Sequence, residues 1–167
     1  LLVDLNGTLV HRTKGKDRYT TPRPGLTHLT RLQDKYKLGV YSCATQKNVR
    51  SMVQFIEHEI GKHVFDVVLH REHCTDATED VRRNIGKWYA KQKPLYARFD
   101  RHNVMLIDNE RYKCLPCERD NLVLIPTWED REDDRMILVL VDALMQHVSS
   151  DKDVRDGVLR VNRKIDR

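Results

Sequence analysis

Leu1-Leu2-Val3-Asp4-Leu5-Asn6-Gly7-Thr8-Leu9 opens the chain. Residues 1–5 form an apolar run interrupted by a single acid, and Asn6-Gly7 supplies a turn directly after it. Such a run, bounded by a turn signal, reads as a buried strand that ends at a polar loop. It places Asp4 and Asn6 at the carboxyl end of a strand.

Working outward, the chain alternates. Residues 11–24 are polar and basic and close on Pro22 and Pro24, which predicts a loop or short hairpin. Leu26, Leu29 and Leu32 recur at helical spacing and predict a helix over 25–36. A second strand is expected over 37–42. The face Val49, Met52, Val53, Ile56 and Ile60 predicts a helix over 46–60, ended by Gly61. Further strands are expected over 64–69, 103–107 and 121–125. Weak helical character surrounds Ile85, Trp88 and Tyr89. Both tryptophans, Trp88 and Trp128, read as packing residues. A short helix or turn is expected over 94–100 and a helix over 131–148. The run 136–141 within it also has strand character, but the continuation through residues 142–145 favours the helix. Residues 149–167 read as a charged tail of uncertain structure, leaving one domain over 1–148. Strands alternating with helices predict an α/β fold: a mostly parallel sheet with helices on both faces. In such sheets ligands bind at the carboxyl ends of the strands.

The 167 residues suit one domain with a real core, and 40% hydrophobic with 33% charged residues excludes a disordered chain. No apolar run approaches the roughly 20 residues that span a bilayer. No secretory signal opens the sequence, and Leu1 leads straight into a strand, so the chain reads as a piece of something longer. The formal net charge of +5 is compatible with an acidic or phosphorylated partner, or with RNA or a ribonucleoprotein against a basic surface. The basic residues are scattered among many acids, however, and a mixed solvated surface is the plainer reading. Cys43, Cys74, Cys114 and Cys117 are too few for a disulfide scaffold and point to a reducing intracellular compartment: nucleus, cytoplasm or mitochondrial matrix. A zinc site would need Cys114 and Cys117 joined by Cys74 with His70 or His73; free thiols are the plainer alternative.

Polar residues fall at three strand ends: Asp4 and Asn6, then Ser42, then Asp108 and Asn109. Lys93 precedes the fourth strand. In a parallel sheet these ends converge on one rim. A carboxylate, a hydroxyl, a lysine and a carboxylate–amide pair suit phosphoryl transfer, with a lysine and a hard cation such as Mg²⁺ offsetting charge on the phosphate.

Residues 4–9, Asp-Leu-Asn-Gly-Thr-Leu, resemble the DxDGT signature of HAD phosphatases. Val40-Tyr41-Ser42-Cys43-Ala44 is similar to their second motif. Lys93-Pro94-Leu95 resembles the lysine motif of the CTD-phosphatase-like (NLI-interacting-factor-like) members, and Leu106-Ile107-Asp108-Asn109 their fourth motif. Arg23-Pro24-Gly25, Pro126-Thr127-Trp128 and Asp133-Asp134 look like further family landmarks. The resemblance covers about residues 1–148. It implies a HAD-like (Rossmannoid) fold with no large cap and an open site suited to phosphoproteins. It also implies Asp4 as nucleophile, Asn6 at the acid/base position, and Ser42, Lys93 and the turn at Gly7 as phosphate binders. Mg²⁺ would be held by Asp4, the Asn6 carbonyl and Asn109, with Asp108 as ligand or support.

Asn6 departs from that pattern. The family's second aspartate protonates the leaving group and then activates water, and an amide does neither, a loss typically of about 10²–10⁴-fold. Glu110, His11 or another acid could substitute. Two functions are therefore expected to compete. One is a Mg²⁺-dependent phosphoserine/phosphothreonine protein phosphatase with impaired activity. The other is an inactive pseudophosphatase kept as a binding or assembly module in a larger ribonucleoprotein or mitochondrial complex.

Overall fold

The computed structural model describes residues 1–13, 19–149 and 153–166. Among these, the strands are β1 (Leu2–Val3), β2 (Val10–Arg12), β3 (Thr20–Pro22), β4 (Gly39–Tyr41), β5 (Val67–Leu69), β6 (Thr75–Asp76), β7 (Lys91–Gln92), β8 (Leu106–Asp108) and β9 (Leu122–Leu124). The α-helices are α1 (Gln46–Ile60), α2 (Glu79–Ile85), α3 (Met136–His147) and α4 (Val154–Ile165). The central sheet has five strands in the order β5-β4-β1-β8-β9, and every pairing in it is parallel. All five strands expected from the sequence are in it, and the first lies at its centre.

Alternation along each strand divides the interior in two. Val3, Val40, Ile107 and Val123 point into the larger core cluster, which also holds Val49 and Ile56 of α1, Leu140 and Leu144 of α3, and Val158 and Val161 of α4. Leu2, Tyr41, Leu106 and Leu122 point into a smaller cluster with Leu95, Val104 and Cys114. The two faces are thus covered unequally. α-Helices pack into the larger cluster, while irregular chain and 3-10 turns close the smaller one. Both faces being covered explains why the strands read as continuous apolar runs.

Several expectations change on contact with the structure. The helix over 25–36 is a 3-10 helix, Leu26–Leu32, that buries Leu26, Leu29 and Leu32. A strict three-residue period is the 3-10 repeat, in which residues i and i+3 eclipse. The segment 11–24, by contrast, takes one of its two expected forms, a hairpin pairing β2 with β3, with residues 14–18 outside those described. Trp88 is 66% exposed, so only Trp128, at 3%, is a packing residue. The last expected helix begins at Met136 rather than near 131, because Asp134 Oδ1 accepts the Met136 N–H at 2.9 Å and starts it there.

The stretch expected to be a charged tail contains α4, whose Val154, Val158 and Val161 are buried. Residues 150–152 and 167 of that stretch lie outside those described. α4 docks on α3 at Gly157, where a Cβ would come within 2.9 Å of the His147 carbonyl. Asn162 then covers the edge of β9: its Nδ2 donates to the Leu122 carbonyl at 2.9 Å, and its Oδ1 accepts the Leu124 N–H at 3.0 Å. An uncovered edge strand is a template for unwanted pairing. Among the described residues, no helix is long and apolar enough to cross a membrane.

Candidate phosphoryl-transfer site

The register of the central strands sets the site. Val3 pairs with Ile107 and with Val40, so Asp4 and Asp108 leave the sheet side by side, with Ser42 further along the same rim. Beyond Asp4 the chain turns tightly: the Leu5 carbonyl accepts the N–H groups of Thr8 at 3.1 Å and Leu9 at 2.8 Å. Gly7 makes the turn with φ +81°, and a Cβ there would lie 2.6 Å from Asn109 Nδ2. A side chain at that position would be strained and would clash as well.

Arg23 braces this loop from below. Its side chain is 1% exposed, pairs with Asp134 at 2.9 Å, and donates to the carbonyls of Thr8 at 3.1 Å and Pro126 at 3.2 Å. The Trp128 N–H donates to the Gly7 carbonyl at 2.9 Å. The Arg-Pro and Asp-Asp landmarks thus meet in one ion pair.

Lys93 is 0% exposed, and its ammonium bridges the two strand-end acids, 2.5 Å from Asp108 Oδ2 and 3.0 Å from Asp4 Oδ1. The contact with Asp4 Oδ1 is ionic rather than a well-aligned hydrogen bond, which leaves that oxygen without a hydrogen-bond partner. A second lysine, Lys113, lies on the other side. Its Nζ is 2.7 Å from Asp4 Oδ2, 3.0 Å from Glu110 Oε2 and 3.4 Å from Asp108 Oδ1. Lys87 completes the group at 2.9 Å from Glu110 Oε1.

Burial pushes the Asp4 carboxyl up, but Lys113 and Lys93 outweigh it and hold the group well below the usual carboxylate range. Burial also raises Asp108; Lys93 opposes that, Asp4 adds to it, and the outcome is a raised value. Burial lowers Lys113, yet Asp4, Asp108 and Glu110 carry it well above the ordinary ammonium value. Glu110 ends below its ordinary value despite burial, because Lys113 and Lys87 stabilise its charge. Its carboxylate is paired with Lys113 at 3.0 Å and with Lys87 at 2.9 Å.

The structure therefore brings Asp4, Lys93 and Asp108 into direct contact. Asn109 is tied to the turn, its Oδ1 accepting from the Thr8 hydroxyl at 3.1 Å and its Nδ2 donating to Thr127 Oγ1 at 2.9 Å. Ser42 is buried at the rim, and its Oγ accepts the Ala44 N–H at 3.4 Å. Gly7 donates its N–H to the Val10 carbonyl at 2.7 Å, so that donor is already engaged. Asn6 is exposed and turned toward the hairpin, with its Oδ1 accepting the Arg12 N–H at 2.9 Å. The cysteines do not gather at one site. Cys114 is buried, Cys117 exposed, and Cys43 and Cys74 sit 3.7 Å apart, sulfur to sulfur.

Lys113 escaped the sequence reading. Nothing in the order Glu110-Arg111-Tyr112-Lys113 distinguishes it from a surface lysine. A 3-10 turn, Arg111–Lys113, and the bond from the Lys93 N–H to the Lys113 carbonyl at 2.7 Å aim it inward.

The residues expected to hold Mg²⁺ do not fit that ion in this arrangement. Mg²⁺ demands a near-octahedral set of oxygens. Here each Asp4 oxygen faces an ammonium, and Asn109 Oδ1 accepts from Thr8. A divalent cation about 4 Å from one ammonium is repelled by roughly 8 kcal/mol at an effective dielectric of about 20. Among the described residues no group of three or more His, Cys, Asp or Glu side chains is arranged to hold a metal.

Asp4 itself is 1% exposed. Beside the cluster opens a groove of about 710 Å³, lined by Asn6, Gly7, His11, Asn109, Tyr112 and Trp128 among others.

A profile described as NLI interacting factor-like phosphatase matches residues 1–155. Solved structures of similar fold include two of one CTD phosphatase. The fission yeast RNA polymerase II CTD phosphatase Fcp1 bound to beryllium fluoride aligns with TM-score 0.55 and 22% identity, over 77% of this chain and 41% of that one. Another structure of Fcp1, described as an essential RNA polymerase II CTD phosphatase, aligns with TM-score 0.55 and 21% identity, over 80% of this chain and 43% of that one. The chain thus spans less than half of either protein, and at this identity the likeness is one of fold. No curated protein sequence gives a significant match.

Proposed function

This chain belongs to the NLI interacting factor-like phosphatase family, and from that premise we propose that it is a phosphoprotein phosphatase-type domain whose turnover is strongly impaired. The observation that carries the reading is Lys93 bridging Asp4 and Asp108 at the carboxyl rim of the sheet. An ionised aspartate beside a buried ammonium is equipped to accept a phosphoryl group and to offset its charge.

In the proposed reaction a segment carrying phosphoserine or phosphothreonine lies in the groove. An Asp4 oxygen attacks phosphorus, the bond from phosphorus to the side-chain oxygen breaks, and the departing alkoxide takes a proton from water in the groove. Water then cleaves the aspartyl phosphate, releasing phosphate and restoring the carboxylate. Lys93 and the Ser42 hydroxyl are the groups assigned to the phosphate oxygens. Asn6 holds the sequence position at which the family's pattern has its proton donor and later base. Its amide can do neither, and its oxygen is already engaged by Arg12. The expected loss is about 10²–10⁴-fold.

Hydrolysis of an aryl phosphate tests this. Asn6→Asp is expected to exceed the parent by about 10²-fold or more, with Asp4→Asn at the blank. A parent as fast as Asn6→Asp would overturn it. The near-complete burial of Asp4 favours a second reading, in which the domain is a binding or assembly module. The parent, Asn6→Asp and Asp4→Asn all remaining at the blank would favour that one.

A further inference from the structure

We propose that Lys113 is a tethered cation standing in for the divalent metal ion at this site, so that the Asp4 centre holds its charge balance, and meets a phosphoryl group, without metal. The metal-exclusion half stands on geometry alone; the phosphate half rests on the reading above.

Lys113 Nζ sits among the carboxylates of Asp4, Glu110 and Asp108 at 2.7, 3.0 and 3.4 Å, and its side chain is only 10% exposed. Three acids (Asp4, Asp108, Glu110) face three ammoniums (Lys87, Lys93, Lys113), a formally neutral group. A neutral group has no deficit for a dication to fill. The two oxygens of Asp4 are divided between the lysines: Oδ1 faces Lys93 and Oδ2 faces Lys113.

The placement is also built into the backbone. The Lys93 N–H bonds to the Lys113 carbonyl at 2.7 Å, and the Gln92 side chain donates to the Tyr112 carbonyl at 2.8 Å. Lys93 and Cys114 form an isolated parallel bridge. The two lysines are therefore held as neighbours on paired chain segments. Asn109 belongs to the same design: its amide is fixed by Thr8 and Thr127, a role that asks for no metal.

Titration with Mn²⁺, read by its electron paramagnetic resonance signal, tests the exclusion directly. The parent is expected to take up no Mn²⁺ at millimolar concentration. Lys113→Gln, which leaves one acid uncompensated, is expected to bind one ion per chain, and Lys113→Gln with Asp4→Asn to lose it. Stoichiometric binding by the parent that Asp4→Asn abolishes would overturn the proposal, and so would a folded Lys113→Gln that binds nothing. Circular dichroism establishes whether Lys113→Gln is folded. If it is not, calorimetry on the parent with inorganic phosphate decides. Equal affinity in EDTA and in Mg²⁺ is expected, and a tenfold or greater gain with Mg²⁺ would overturn the proposal. A parent that binds neither ion nor phosphate sinks the phosphatase reading and leaves the exclusion of metal standing.

Discussion

At the scale of single residues, Asp4 and Asp108 leave neighbouring strands side by side in the interior, and two such acids are tolerated only because ammoniums reach them. The pH dependence of stability follows from the directions of the shifts. Asp4 is depressed, so its contribution is present above the unfolded carboxyl value of about 3.9 and is lost as pH falls through the folded value. Asp108 is raised, so its sign is opposite and it blunts the acid loss. Lys113 is raised, so its contribution is full below the unfolded value of about 10.4 and is lost as pH rises toward the folded value. Urea denaturation midpoints are expected to fall above about pH 10.4, with the alkaline fall smaller in Lys113→Gln. An equal fall in both proteins would show that Lys113 is not paired as described. Asp4 and Asp108 were legible in the sequence because strand ends of a parallel sheet share a rim, whereas Lys93, ahead of the fourth strand, was marked by the resemblance of Lys93-Pro94-Leu95 to the family's lysine motif. Lys113 was not, because only the 3-10 turn over residues 111–113, which follows Glu110, reveals where its side chain goes.

At the scale of elements, Arg23 holds together pieces distant in sequence. It joins the start of the first 3-10 helix to the loop after β1, to the 126–128 segment and to the start of α3. Arg23→Ala removes one partner of a mostly buried pair and frees two carbonyls, a change expected to cost about 3 kcal/mol or more. Guanidinium denaturation measures it, and a loss below about 1 kcal/mol would make Arg23 a bystander. The elements themselves were unevenly legible. The parallel strands and α1 declared themselves through apolar runs and a four-residue rhythm. The leucine trio at 26, 29 and 32 had the right residues at the wrong period for an α-helix. α4 was hidden because Arg155, Asp156, Arg160, Arg163 and Lys164 mask the spacing of Val154, Val158 and Val161.

At the scale of the molecule, the beginning and end of the described chain share one interior: Val3 and Val161 belong to the same core cluster. Each fully buried valine contributes about 1.5–3 kcal/mol, and whole domains are stable by only about 5–15 kcal/mol. A chain ending at Val148 is therefore expected to lose its cooperative thermal transition in calorimetry; an unchanged transition would show that α4 is dispensable. The same economy of placement closes the site, since the turn that carries Lys113 also lines the groove through Tyr112. The most direct test is a crystal structure grown with Mg²⁺ and inorganic phosphate. The Lys113 ammonium is expected beside the Asp4 carboxylate, with Lys93 between Asp4 and Asp108 and no metal density. Mg²⁺ bound between Asp4 and Asn109, with Lys113 swung out to solvent, would contradict it.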